Sequence, residues 1–168
     1  MTETEEFVQL LRLENGNLES VRQEEPFLDD VIVYLSMALA HDCMAWEDPG
    51  RFVEPNLELI ESVARFGCLL KDQWAPEGVL VYGGKMVVDD QLLESWSERG
   101  KALRDAILDA HMQAYGQENA ERAYRETNTA LTYMLAIGCA RSTDLDGSLD
   151  FVQRCFRAAM GYLTGGQC

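Results

Sequence analysis

Histidine is almost missing from this sequence: only His41 and His111 occur. Few imidazoles leave little material for a zinc site, and the five cysteines do not make up the shortfall. Their number is odd, no two stand as CxxC, and Cys43, Cys68, Cys139 and Cys155 each sit in apolar, helix-like surroundings. They read as free thiols acting as small core hydrophobes. Cys168 is the last residue and does not fit a prenylation signal. Long apolar runs are also lacking. The longest, VIVYLSMALA (31–40), is half of the ~20 residues that span a bilayer. MTETEEF at the start has neither a basic region nor an apolar stretch, so no secretory leader is expected. These absences point to a cytoplasmic protein with no membrane association. GxGxxG, Walker A, GxSxG and HExxH patterns do not occur, and no cofactor is expected.

Positive charge is scarce too. Lys and Arg number 14 against 29 Asp and Glu, for a net charge of −15. Residues 1–84 hold 17 acidic and 5 basic side chains, whereas residues 85–168 hold 12 and 9. Such a surface repels nucleic-acid backbones and anionic lipid, so direct nucleic-acid binding is not expected. It steers toward a basic protein, or toward a protein site that normally holds nucleic acid.

What is present is an ordinary globular composition, 47% hydrophobic and 26% charged. A chain of 168 residues buries roughly 70% of its unfolded surface in one domain. Apolar spacing predicts six helices: about 3–14, stopped by Asn15-Gly16; Pro26 to Trp46; Pro55 to Trp74; Asp90 to Tyr115, closed by Gly116; 118–141; and 148–163. The second is apolar almost all round and should be the central one. Small residues on the fourth, including Gly100, imply a close helix crossing. Trp46, Trp74 and Trp96 fall on apolar stripes and read as core anchors.

Between the third and fourth helices lies EGVLVYGGKMVVDD (77–90). Gly83-Gly84 suits a type I′ turn, which predicts a β-hairpin over about 78–89. In that register one face carries Val79, Val81, Met86 and Val88, and should pack on the helices. The other carries Leu80, Tyr82 and Val87, with Lys85 at the tip. That second face, or an open strand edge, is left for a protein partner or a second copy of the chain. The fold class is therefore mainly α: a single-domain bundle of five or six helices over 1–164 with one hairpin, and a short flexible tail at 165–168.

Four groups of chemistry-bearing residues invite a catalytic reading. His41-Asp42 is a pair used by metal-dependent phosphohydrolases, but only His111 remains to help it. Glu58 and Glu61 form an ExxE, the spacing of helical nucleotide pyrophosphohydrolases, and Asp105 and Asp109 could face them to hold magnesium. DLDGSLD (144–150) lacks Gly and Glu at the positions an EF-hand requires; Asp146 or Ser148 caps a helix there instead. Arg122/Arg125 and Arg154/Arg157 could clamp an anion, although neighbouring glutamates make surface ion pairs the simpler reading.

The sequence thus favours a non-enzymatic acidic protein that binds and blocks or regulates a protein partner, of the inhibitor, immunity or anti-defence type. Leu80, Tyr82, Lys85 and Val87 are its candidate contact residues. The alternative is a small helical-bundle, metal-dependent nucleotide hydrolase using Glu58, Glu61, Asp105 and Asp109. A regulator with a small-molecule pocket between helices is a third reading.

Overall fold

The computed structural model describes residues 1–75 and 78–166. Seven α-helices are present among them: α1 (Glu3–Glu24), α2 (Leu28–Cys43), α3 (Val53–Leu69), α4 (Lys71–Trp74), α5 (Asp90–Tyr115), α6 (Ala120–Ala140) and α7 (Leu145–Thr164). Single 3₁₀ turns precede α3 and α6. No described helix is long and apolar enough to cross a membrane. The last two residues of the expected tail lie outside the described residues, as do Pro76 and Glu77.

α2 is the central helix: it packs on α5, α6 and α7, and nearly all of it is buried. Its crossing with α5 is close because Gly100 has no side chain; a Cβ there would lie 2.6 Å from Met37 Cγ. α3 and α1 cover α6 from outside. One continuous core joins the helices, with Trp74, Phe151 and Phe156 among its largest fully buried side chains. Cys43, Cys139 and Cys155 are buried and Cys68 is half-buried. Burial pushes the Cys139 and Cys155 thiols up to about 12, away from reactive thiolate.

Three local expectations change. α1 does not stop at Asn15-Gly16 but continues to Glu24. Its buried stripe Val8, Leu11, Leu18 and Val21 keeps helical spacing through the glycine, and that burial outweighs the ~1 kcal/mol helix cost of Gly16. The third predicted helix breaks at Leu70. There the chain turns so that Trp74 folds back: its indole Nε1–H donates to the Gly67 carbonyl at 2.8 Å, and Gly67 leaves room for the ring. The cap of α7 is Asp144, which accepts from Gly147 N at 2.9 Å, rather than Asp146 or Ser148.

The β-hairpin is not formed. No strand is present among the described residues, and the single β contact is a parallel bridge between Leu80 and Ser142. A two-stranded hairpin is marginal alone, and here its backbone groups find better partners. Leu80 N–H donates to the Arg141 carbonyl at 2.8 Å, and Thr143 N–H donates to the Leu80 carbonyl at 2.9 Å. Tyr82 N–H donates to Thr143 Oγ1 at 3.1 Å. The glycine pair is not a type I′ turn, because only Gly84 has positive φ (70°). Instead both glycine N–H groups donate to the Asp29 carboxylate, at 2.8 and 2.9 Å. Such charge-assisted bonds are worth roughly twice a neutral one.

Candidate protein-contact surface

The segment 78–88, without helix or strand apart from the bridge at Leu80, is bonded to the α6–α7 junction and to the first turn of α2. It is fastened at three places. At its start, Arg141 at the end of α6 is almost fully buried and donates to the Gly78 carbonyl, to Asn15 Oδ1 (2.8 Å) and to Glu19 Oε1 (2.5 Å). This one guanidinium ties α1, α6 and the segment together. In the middle stands the Leu80–Ser142 bridge. Beyond it, Gly83 and Gly84 form a small nest of N–H groups around Asp29, an arrangement that backbone amides offer to any anion.

Alternation then sorts the side chains. Leu80 is 4% exposed, and Tyr82 is half-buried with its ring 5.8 Å from that of Phe151. Val79 (63% exposed) and Val81 (73%) point to solvent. Further along, Met86 and Val88 pack against the core while Val87 is 71% exposed. The inward face was expected to be Val79, Val81, Met86 and Val88. In the first arm that order is reversed, because pairing with residues 141–143 rather than 86–88 turns Leu80 and Tyr82 to the core. Of the four contact residues read from sequence, Lys85 and Val87 face solvent, Tyr82 does so in part, and Leu80 is enclosed. Val79 and Val81 are the exposed pair that the hairpin register concealed.

Beside this segment lies a groove of about 380 Å³ walled by Asn15, Glu19 and Arg22 of α1 on one side and Gly78 to Leu80 on the other. Glu19 is held below the usual carboxylate range: although burial pushes it up, hydrogen bonding and charge from Arg141 and Arg22 outweigh that.

The catalytic candidates are dispersed. His41 Nε2–H donates to the Ser97 carbonyl at 3.0 Å, and burial holds its imidazole below the ordinary value. Its neighbour Asp42 turns into the core, where it accepts from Arg104 Nε and Asn128 Nδ2, both at 3.0 Å. His111 lies on α5, with Nδ1 3.0 Å from Thr127 Oγ1 and its ring stacked on Tyr115. The two histidines therefore serve separate helix contacts. Glu58 and Glu61 line a groove of about 320 Å³ between α3 and α7, facing Asp146 and Asp150. Arg65 bridges Glu61 (3.1 Å) and Asp146 (2.8 Å) there. Asp105 is on α5, bound to Lys101 (2.9 Å) and Arg104 (3.1 Å). Since α3 packs on α6 and α7 whereas α5 packs on α2 and α6, the structure does not gather Glu58, Glu61, Asp105 and Asp109 around one point. No group of three or more metal-ligating side chains is assembled among the described residues.

Three arginines of the two pairs form surface contacts. Arg122 lies over the Tyr115 ring and 4.0 Å from Glu126, Arg154 binds Asp150 at 2.9 Å, and Arg157 binds Glu54 at 2.5 Å. Sequence reading missed three residues that shape the surface: Asp29, Arg141 and Thr143. Asp29 looks like a helix-dipole carboxylate and Arg141 like a solvent arginine, and nothing local marks their distant partners. In comparisons with protein-family models, curated proteins and solved structures, nothing matches this chain.

Proposed function

We propose that this chain is a non-enzymatic acidic protein that binds a basic protein partner and blocks or regulates it, in the manner of an inhibitor or immunity protein. The observation that carries this reading is the three solvent-facing valines, Val79, Val81 and Val87, on a segment whose inner side is anchored by hydrogen bonds. Three β-branched apolar side chains held out from a backbone with few degrees of freedom make a contact surface at low ordering cost. The charge of −15 supplies the complementary term: it raises encounter rates with a basic protein and repels nucleic acid.

The reading is tested by affinity capture from extracts of the source organism, comparing the natural chain with a Val79→Asp, Val81→Asp, Val87→Asp variant. A specific protein retained by the first and lost by the second, with an association rate that falls as salt rises, is the expected outcome. A retained protein indifferent to all three changes would count against it. So would a melting temperature raised by magnesium or manganese and an activity lost in a Glu58→Gln, Glu61→Gln variant, since a ligand bound only by the folded state stabilises it.

A further inference from the structure

We propose that the outer edge of residues 78–82 is a strand-addition site, which receives an extended, basic segment of the partner protein. The inference rests on the protein-binding reading above and specifies its mode.

In an extended chain, successive residues point their N–H and C=O groups to opposite sides of the strand. The inward-facing set is occupied: Leu80 N–H and C=O pair with Arg141 and Thr143, and Tyr82 N–H with Thr143 Oγ1. The outward-facing set belongs to Val79 and Val81. Among the described residues, no hydrogen bond involves the backbone of either. Two residues two apart, each offering a donor and an acceptor, present the spacing that an incoming strand pairs with. Native proteins usually guard such an edge with lysine, proline, a bulge or a covering element. Here the edge bears two exposed valines, and the first charge along the segment is Lys85.

The occupant follows from chemistry. A helix has its own backbone groups satisfied and could use only the valine side chains, so an extended segment gains more from this edge. Charge selects its sign. Residues 1–84, which include α1 and the edge itself, hold 17 acidic side chains against 5 basic ones. The adjoining groove carries Glu19 together with Arg22 and Arg141, which both pair with it, so the sign is set by the acidic chain as a whole and not by this wall. A second copy of this chain would bring another −15 to the contact, which disfavours self-pairing at ordinary ionic strength.

The test uses the full chain, isotope-labelled, and a soluble end-blocked octapeptide alternating valine with lysine and threonine; a glutamate version serves as control. Amide exchange is read by NMR. The lysine peptide should slow exchange at Val79 and Val81 by about tenfold or more, the scale of one main-chain hydrogen bond. The glutamate peptide should bind at least about tenfold more weakly. Val81→Pro deletes an outward N–H and no inward one; it should weaken peptide binding about tenfold, whereas Val81→Thr should change it less than about threefold. Retained protection at Leu80 and Tyr82 certifies the fold of each variant, and Val79→Pro stands in if Val81→Pro does not fold.

No protection of Val79 and Val81 by the peptide, or peptide binding unchanged in a folded proline variant, overturns the proposal. So does concentration-dependent protection of these amides without peptide, which would assign the edge to a second copy. If the peptide fails while the captured natural partner is still lost on valine replacement, the mode is wrong and the binding function stands. If no partner is captured, the binding function itself falls.

Discussion

The junction of α2, α5 and α6 and the segment 78–88 both remove polar groups from bulk water, and they treat them in opposite ways. At the junction Asp42 is 0% exposed, and its carboxylate accepts from Arg104 and Asn128. Arg104 also lies over the Tyr124 ring, which closes the site from outside. Both carboxylate oxygens are used, while Arg104 Nη2 is buried without a hydrogen-bond partner. In the segment only the inward backbone groups are used, and the outward ones of Val79 and Val81 remain open to water. Buried polar groups that lack partners are costly, so the core must close its network, whereas a solvated edge can be left unpaired at little cost. The difference separates what holds the fold from what is available to a second molecule.

The junction offers the largest effect. Replacing Arg104 with Ala removes the cation beside the buried Asp42 carboxyl and leaves Asn128 donating to it, and should cost about 3 kcal/mol in urea unfolding. A loss below about 1 kcal/mol would mean that water or a rearranged side chain serves Asp42, and the contrast between the two regions would weaken.

A smaller effect is expected where the segment is fastened. Asp29→Ala frees Gly83 N–H and Gly84 N–H together and should cost about 1–2 kcal/mol. Amide exchange should quicken at Gly83 and Gly84 while Leu80, held by residues 141 and 143, keeps its protection. Loss of protection along the whole segment would show instead that the Asp29 clip and the Leu80–Ser142 bridge form one cooperative unit.

The smallest effect comes from α1. Glu14 is buried against α6; burial pushes its carboxyl above the usual value, and the nearby Glu126 charge adds to this although the Asn17 side chain opposes it. A carboxyl raised in the folded state contributes stability that is complete below its unfolded value and is lost as pH rises through the folded one. Glu14→Gln keeps a polar group for Asn17 and carries no charge. It should therefore stabilise the protein by about 1 kcal/mol at neutral pH and by nothing in acid. Equal stabilities of the two proteins across that range would show that Glu14 does not oppose the docking of α1.

Helix identity was legible in the sequence wherever an apolar stripe met a local signal. α5 spans the range its pattern predicts, although its cap is Asp89, which accepts from Leu92 N at 2.9 Å, and not Asp90; Gly116 closes it at φ 82°. Gly100 on its stripe marked the close crossing with α2. The hairpin misled because two glycines between apolar runs are ambiguous: they suit a turn with positive φ, and they equally suit a nest of N–H groups around a carboxylate. The choice was made by Asp29, 54 residues earlier, and by Arg141, 63 residues after Gly78. Neither link leaves a local trace. The reversed facing of Leu80 and Val81 follows from that same choice of partner, as a change of pairing turns alternate side chains over.

The segment 78–82 is closed by hydrogen bonds on its inner side and unpaired at Val79 and Val81 on its outer side. Amide hydrogen exchange on the free monomer tests this most directly, since neither a partner nor a mutation is needed. Val79 and Val81 should exchange at close to the rate of an unstructured chain, with Leu80 and Tyr82 slower by about a hundredfold or more, as amides held in folded structure are. Equal protection of all four, in a species shown to be monomeric, would mean that the outer edge is already covered within the chain, and the claim would be contradicted.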